Sequence, residues 1–209
     1  MGLIKLENLN NNVLYGLWQI TETEEYFFDN YFFNEEELKS LSKIKFLQKR
    51  LQWLSSRAII KEIVNNAIVL KDTTNRPYLK NYLWNISISH SNSYSTAIIS
   101  KNKNLNVAID IEKISFRIKN ITEKFITASE YKLKPADMDE KLFLHLIWGI
   151  KECAYKLYNS INPNFIGDIE VLSIDTRNMT SYCIIQKNNI KDLYYYINFD
   201  NYLIVYTYR

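Results

Sequence analysis

Apolar residues recur along this chain in short alternating runs and in two stretches at helical spacing. Residues 13–20 read as a strand. Asn34-Glu35-Glu36-Glu37 has the form of a capping box, with an N-cap side chain and a glutamate three residues on. After it Leu41, Ile44, Leu47, Leu51, Leu54, Ala58 and Ile59 fall at three- and four-residue steps, predicting one continuous helical face with a tail to about Asn66. A turn follows through Asp72-Thr73-Thr74-Asn75-Arg76-Pro77, then paired strands at 84–90 and 94–100. The polar turn Asn102-Lys103-Asn104 is the natural boundary between two halves, 1–103 and 104–209. The second half opens with a strand at 107–112. It continues through a long apolar-periodic helix over 138–158 and closes in an antiparallel meander at 169–174, 181–186, 193–199 and 202–208. Hairpins instead of regular strand–helix–strand alternation indicate an α+β fold. No internal repeat is visible residue by residue.

The strand at 107–112 carries the first chemistry. Alternation places Val107, Ile109 and Ile111 on one face and Ala108, Asp110 and Glu112 on the other. Two carboxylates neighbouring along a strand face repel by about 3 kcal/mol at roughly 5 Å and an effective dielectric near 20. Such a pair is kept where its face is an acidic wet edge, or where a cation sits between the two groups. In the long helix, Trp148, Glu152 and Lys156 are spaced i, i+4, i+8 and line one side. They supply a third carboxylate and a lysine for a metal and phosphate site; the alternative is a surface Glu–Lys pair. Gly149 lowers helix propensity by about 1 kcal/mol relative to Ala and marks close backbone packing. Upstream, Ser89-His90-Ser91 ends a strand with hydroxyls and an imidazole, groups that suit a phosphate or simply satisfy a turn.

Composition removes several classes. The chain has 209 residues, with 26 Lys+Arg against 23 Asp+Glu. A net charge of +3 is too mild for a nucleic-acid binder, although many tyrosines and the cations Lys43, Arg50 and Arg57, repeating at seven as a solvated stripe, raise that alternative. No stretch is both long and apolar enough to cross a membrane, and the amino-terminal residues do not read as a signal peptide. Cys153 and Cys183 are isolated thiols without metal spacing, which fits a reducing cytoplasm; Cys153 reads as a buried small side chain. His145, three residues before Trp148, reads as structural.

Three segments in order resemble the 4′-phosphopantetheinyl transferases, in particular the long monomeric type represented by the surfactin-synthetase activating enzyme. They are Asn85-Ile86-Ser87-Ile88-Ser89-His90-Ser91, Ala108-Ile109-Asp110-Ile111-Glu112, and Trp148-Gly149-Ile150-Lys151-Glu152-Cys153-Ala154-Tyr155-Lys156. The family's G-K-P is matched by Asn75-Arg76-Pro77, and its basic helix by residues 49–57. Four departures stand out. Asn75 replaces Gly, Ala108 replaces Gly, Ser87-Ile88 is inserted between Asn85-Ile86 and Ser89-His90, and Gly149 lies inside the helix motif.

The resemblance implies a pseudo-dimer of two similar α/β halves, each with an antiparallel sheet packed on a long helix, and an active site between the halves. It implies transfer of 4′-phosphopantetheine from coenzyme A to a serine of an apo acyl or peptidyl carrier protein, releasing adenosine 3′,5′-bisphosphate, in the manner of a holo-[acyl-carrier-protein] synthase. A cytoplasmic monomer with no nucleic-acid or membrane partner is expected. Asp110, Glu112 and Glu152 would hold Mg²⁺, or Mn²⁺ in its place. Lys156 would contact the diphosphate, and Glu152, directly or through a bound water, would accept the serine proton, with Lys151 the weaker candidate. Arg57, Arg76, Ser89 and His90 would bind coenzyme A phosphate. Glu130 is a further acidic candidate, although Thr127-Ala128-Ser129-Glu130 is also a capping box. A basic, partly apolar segment, Phe116-Arg117-Ile118-Lys119-Asn120 with Lys124-Phe125, Lys132 and Lys134, would meet an acidic carrier or be merely solvated. A non-catalytic relative that binds coenzyme A or a carrier is the main rival reading.

Overall fold

A computed structural model describes residues 2–209. The chain divides into two compact units, the break falling between Val107 and Ala108. The first unit contains β1 (Leu3–Asn8), β2 (Val13–Gln19), α1 (Glu24–Asn30), α2 (Glu35–Ser42), α3 (Leu47–Ile63), β3 (Val69–Lys71), β4 (Pro77–Leu79), β5 (Asn85–Ser91) and β6 (Tyr94–Ser100). The second contains β7 (Val107–Lys113), a 3-10 helix (Phe116–Lys124), α4 (Ala128–Tyr131), α5 (Glu140–Leu157), β8 (Ile169–Asp175), β9 (Thr180–Ile185), β10 (Ile190–Phe199) and β11 (Tyr202–Tyr208). Helices and antiparallel hairpins make the fold α+β, as the pattern predicts.

In the first unit the sheet order is β1-β2-β6-β5, with β3 and β4 as a separate ribbon. α3 packs on this sheet, with Leu54, Ala58, Ile59 and Ile60 meeting Trp18, Ile86, Ala97 and Ile99 in one core. Approach is close because Gly16 on β2 has no side chain: a Cβ there would lie 2.4 Å from Ile59 Cγ2. The expected continuous helix is corrected by a break at residues 43–46. Arg50 satisfies the freed end of α2 by donating to Leu41 O at 3.1 Å and Ile44 O at 3.4 Å. Arg50 also forks onto Glu24, one branch at 2.7 Å. The expected basic stripe is corrected with it: Lys43 is exposed, Arg50 is committed to these bonds, and Arg57 is buried.

In the second unit the order is β7-β11-β10-β9-β8, and β8 to β11 form the expected antiparallel meander. α5 begins at the N-cap Asp139, whose carboxylate accepts from Lys141 N at 2.9 Å and Leu142 N at 3.3 Å. Phe143, Leu146, Ile147, Ile150, Cys153 and Ala154 pack it on Val171, Cys183, Tyr194, Leu203 and Val205. Gly149 marks a close approach, since a Cβ there would sit 2.8 Å from Val205 Cγ2. Cys153 is fully buried and donates to Val205 O at 3.2 Å, and Cys183 is also a buried free thiol. His145, buried, keeps Nδ1 2.8 Å from Lys141 O, and burial lowers its pKa.

Each unit repeats one buried device. In the first, Asn34 and Glu37 close the capping box, Lys61 Nζ reaches Glu37 at 3.2 Å and also donates to Ala67 O, and Val69 N donates to Glu37 Oε1 at 3.1 Å. In the second, Thr127 and Glu130 close the box. Lys151 Nζ lies 2.7 Å from Glu130 and donates to Phe165 O at 2.7 Å, and Val171 N donates to Glu130 Oε1 at 2.9 Å. Among the described residues no helix is long and apolar enough to cross a membrane.

Candidate active site

β7 is an edge strand, yet its acidic face is not wet. Asp110 is only 4% exposed and Glu112 is half-buried. The wet-edge alternative therefore fails, because α5 lies over this face and contributes the partners. Lys156 Nζ donates to Asp110 Oδ1 at 2.7 Å and to Ile109 O at 2.9 Å. Trp148 Nε1 donates to Glu112 Oε1 at 3.2 Å. Gly149 brings the helix in, the position of its absent Cβ being 3.8 Å from Asp110 Oδ2. The i, i+4, i+8 line of Trp148, Glu152 and Lys156 is thus directed at the acidic strand. Trp148 is itself held between Phe125 and Phe165, each ring centroid 5.2 Å away.

Electrostatics record how tightly the acids are grouped. Burial and then the charge of Asp110 push the Glu112 carboxyl up to about 7. Burial and Asp110 likewise raise Glu152. For Lys156 burial favours the neutral amine, but Asp110 outweighs it and the ammonium is stabilised. Three hard oxygen donors against one ammonium leave negative charge that a divalent cation of the Mg²⁺ type would neutralise. The donor set fits such an ion in charge and chemistry. Among the described residues no three His, Cys, Asp or Glu side chains already form a closed ligand cluster, and Lys156 stands against Asp110.

The other expected residues each have their own local setting. Lys151 faces away from Glu152's partners into its buried pair with Glu130, and burial lowers its pKa. Glu130, 1% exposed, serves the capping box and that pair. In the first unit Arg57 is 4% exposed on α3, its guanidinium 3.6 Å from the Trp53 ring centroid, with Nη1 donating to Trp53 O at 3.2 Å. Burial pulls its pKa down to about 9. Arg76 is half-buried in the β3–β4 turn, where its backbone N donates to Asp72 Oδ1 at 3.0 Å. Before it, Asn75 has φ +65°, the left-handed region that Gly and Asn tolerate, which accounts for Asn at a family glycine position. Ser89 is half-buried opposite Thr96, and His90 is exposed opposite Ser95 near the end of β5. Asn85 is occupied with Lys103 O at 2.9 Å and Leu105 O at 3.2 Å. The sequence reading overlooked Trp148 as a partner of the acids; its i, i+4 step to Glu152 was the available signal.

The acid-bearing edge strand and the helix over it thus bring carboxylates and an ammonium together, groups that can hold a divalent cation and meet a phosphate. Residues 106–207 match the family model of the 4′-phosphopantetheinyl transferase superfamily. No curated protein matches the chain.

Proposed function

We propose that the protein transfers 4′-phosphopantetheine from coenzyme A to a serine hydroxyl of an apo acyl or peptidyl carrier protein. The observation that carries this reading is the convergence of Glu152 and Lys156 on Asp110 and Glu112 within the stretch that matches the superfamily model. Asp110, Glu112 and Glu152 would hold a divalent cation, Mg²⁺ or Mn²⁺, which when bound supplies neutralisation of diphosphate charge. Lys156 orients Asp110 and presents its ammonium to the diphosphate. Glu152, directly or through a bound water, accepts the serine proton. The serine oxygen forms a bond to the phosphorus of the pantetheine phosphate. The bond from that phosphorus to the bridging oxygen breaks, and adenosine 3′,5′-bisphosphate leaves. Lys151 is committed to Glu130 and takes no part in the proton transfer.

Arg76, Ser89 and His90 bind coenzyme A phosphate in this scheme, and Arg57 adds positive charge from beneath the surface. The test is purified protein with coenzyme A, Mg²⁺ and a panel of apo carriers. A carrier mass gain of one phosphopantetheine supports the transferase. Tight binding of coenzyme A or carrier with no gain supports the non-catalytic rival.

A further inference from the structure

In the basic segment expected to meet an acidic partner, Lys119 and Lys134 are engaged from within the second unit, while Arg117, Lys124 and Lys132 are exposed. Lys119 pairs with Glu140, Lys134 donates to Pro135 O at 3.2 Å, and Lys141 lies 4.4 Å from the centroid of the Phe116 ring. The corner between α2 and α3 in the first unit is a second surface that combines exposed cations with exposed apolar side chains. There Phe46 is 76% and Leu47 62% exposed, side by side at the start of α3. Lys43, Lys45 and Lys49 flank them in the sequence, all exposed, and none has an ion-pair partner among the described residues. Residues 43–50 carry four cations and no acid. Of those cations only Arg50 is spent, on Glu24 and the α2 carbonyls, and these bonds fix the corner's shape.

The corner is continuous with the end of β5. Gln48 Nε2 and Gln52 Nε2 both donate to Asn92 O, at 2.6 and 2.8 Å, in the turn that follows Ser89-His90-Ser91. We propose that Phe46 and Leu47, with the flanking Lys43, Lys45 and Lys49, form the docking surface for an acidic, apolar-tipped protein, which on the reading above is the carrier. A small anion would use the lysines but leave two large apolar side chains in water with nothing to cover them. A membrane surface needs a longer amphipathic face, whereas α3 is buried from Gln52 to Lys61. An acidic protein surface uses both the charges and the apolar pair, with charge setting the encounter rate and the apolar contact the residence time.

The experiment compares the unaltered protein with a charge variant (Lys43→Glu, Lys45→Glu, Lys49→Glu) and an apolar variant (Phe46→Ser, Leu47→Ser). Equilibrium binding of a fluorescently labelled apo acyl carrier protein is measured without coenzyme A, alongside transfer kinetics. Each variant should weaken carrier binding about tenfold or more and raise the carrier KM, while the KM for coenzyme A and the circular dichroism spectrum stay unchanged. A carrier that is modified with unaltered affinity and KM in both variants overturns the docking assignment and leaves the transferase reading standing. A rise in the coenzyme A KM alone reassigns the lysines to the cofactor and also overturns it. So does binding to phosphatidylglycerol vesicles that both variants abolish without any effect on carrier. If the unaltered protein neither binds nor modifies any apo carrier, the transferase reading falls and this assignment falls with it.

Discussion

Asp110 and Lys156 hold each other at 2.7 Å, and this contact decides what single substitutions do. Asp110→Ala removes the carboxylate that orients Lys156 and raises Glu112 and Glu152; Glu152→Ala removes the candidate base. Each should abolish carrier modification while the protein stays folded, Asp110→Ala with reduced stability because it leaves Lys156 without its partner. Full transfer by either variant, measured by carrier mass, would remove these residues from the mechanism. Gly149→Ala is a different kind of change. Helix propensity favours Ala by about 1 kcal/mol, but the new methyl would meet Val205 Cγ2 at 2.8 Å. Overpacking of that sort costs about 1–3 kcal/mol, so the denaturation midpoint should fall; a rise would mean that α5 yields easily. At this scale much was legible in advance. Alternation put Asp110 and Glu112 on one strand face, and helical spacing aligned Trp148, Glu152 and Lys156. The Asp110–Lys156 bond, the Trp148–Glu112 bond and the burial of Arg57 were not legible, because each depends on how a helix is seated on a sheet.

The helices show where periodicity misleads. Residues 41–59 keep a helical rhythm of apolar positions across the break at 43–46, since both α2 and α3 bury a face in the same core. At the interruption Arg50 satisfies the carbonyls of Leu41 and Ile44, contacts that the apolar periodicity does not reveal. The capping boxes at Asn34 and Thr127 were readable from the Asn and Thr followed three residues later by Glu. Their second duty, receiving a buried lysine from the long helix, was not. That duty makes a sharp prediction. Lys151→Met and Lys61→Met each leave a buried carboxylate unpaired, and loss of one partner of such a pair costs about 3–5 kcal/mol. Chemical denaturation should therefore show both variants strongly destabilised. If Lys151→Met keeps its stability but loses turnover, Lys151 acts in the reaction after all.

For the molecule as a whole, the acidic group links stability, pH and metal. Glu112 titrates in the folded protein at about 7, above its ordinary 4.5, so the native state holds a proton that the unfolded chain has already released. Stability from this group is therefore lost as pH rises from about 4.5 through 7, and Glu152 shifts in the same direction. Metal binding requires the ionised forms and should oppose that loss. The thermal midpoint gained on adding Mg²⁺ should grow between pH 5 and 8, and a gain independent of pH would contradict the assigned donor set. EDTA should stop transfer and Mg²⁺ restore it; turnover resistant to chelator would exclude the ion from the reaction. The α+β class and the terminal meander followed from sequence alone. The repeated buried device did not, because its members share chemistry and position but too few letters to register as a repeat.

The two close helix–sheet contacts have opposite polarity. In the first unit the strand supplies the hollow, at Gly16, and the helix supplies the projection, Ile59; in the second the helix supplies the hollow, at Gly149, and the strand supplies Val205. Two units that share a buried device risk pairing the wrong helix with the wrong sheet while the chain folds. Here a mispaired α5 would set hollow against hollow and leave a void, and a mispaired α3 would set Ile59 against Val205. The glycines thus give each helix–sheet contact its own polarity, so that each helix fits its own sheet and not the other.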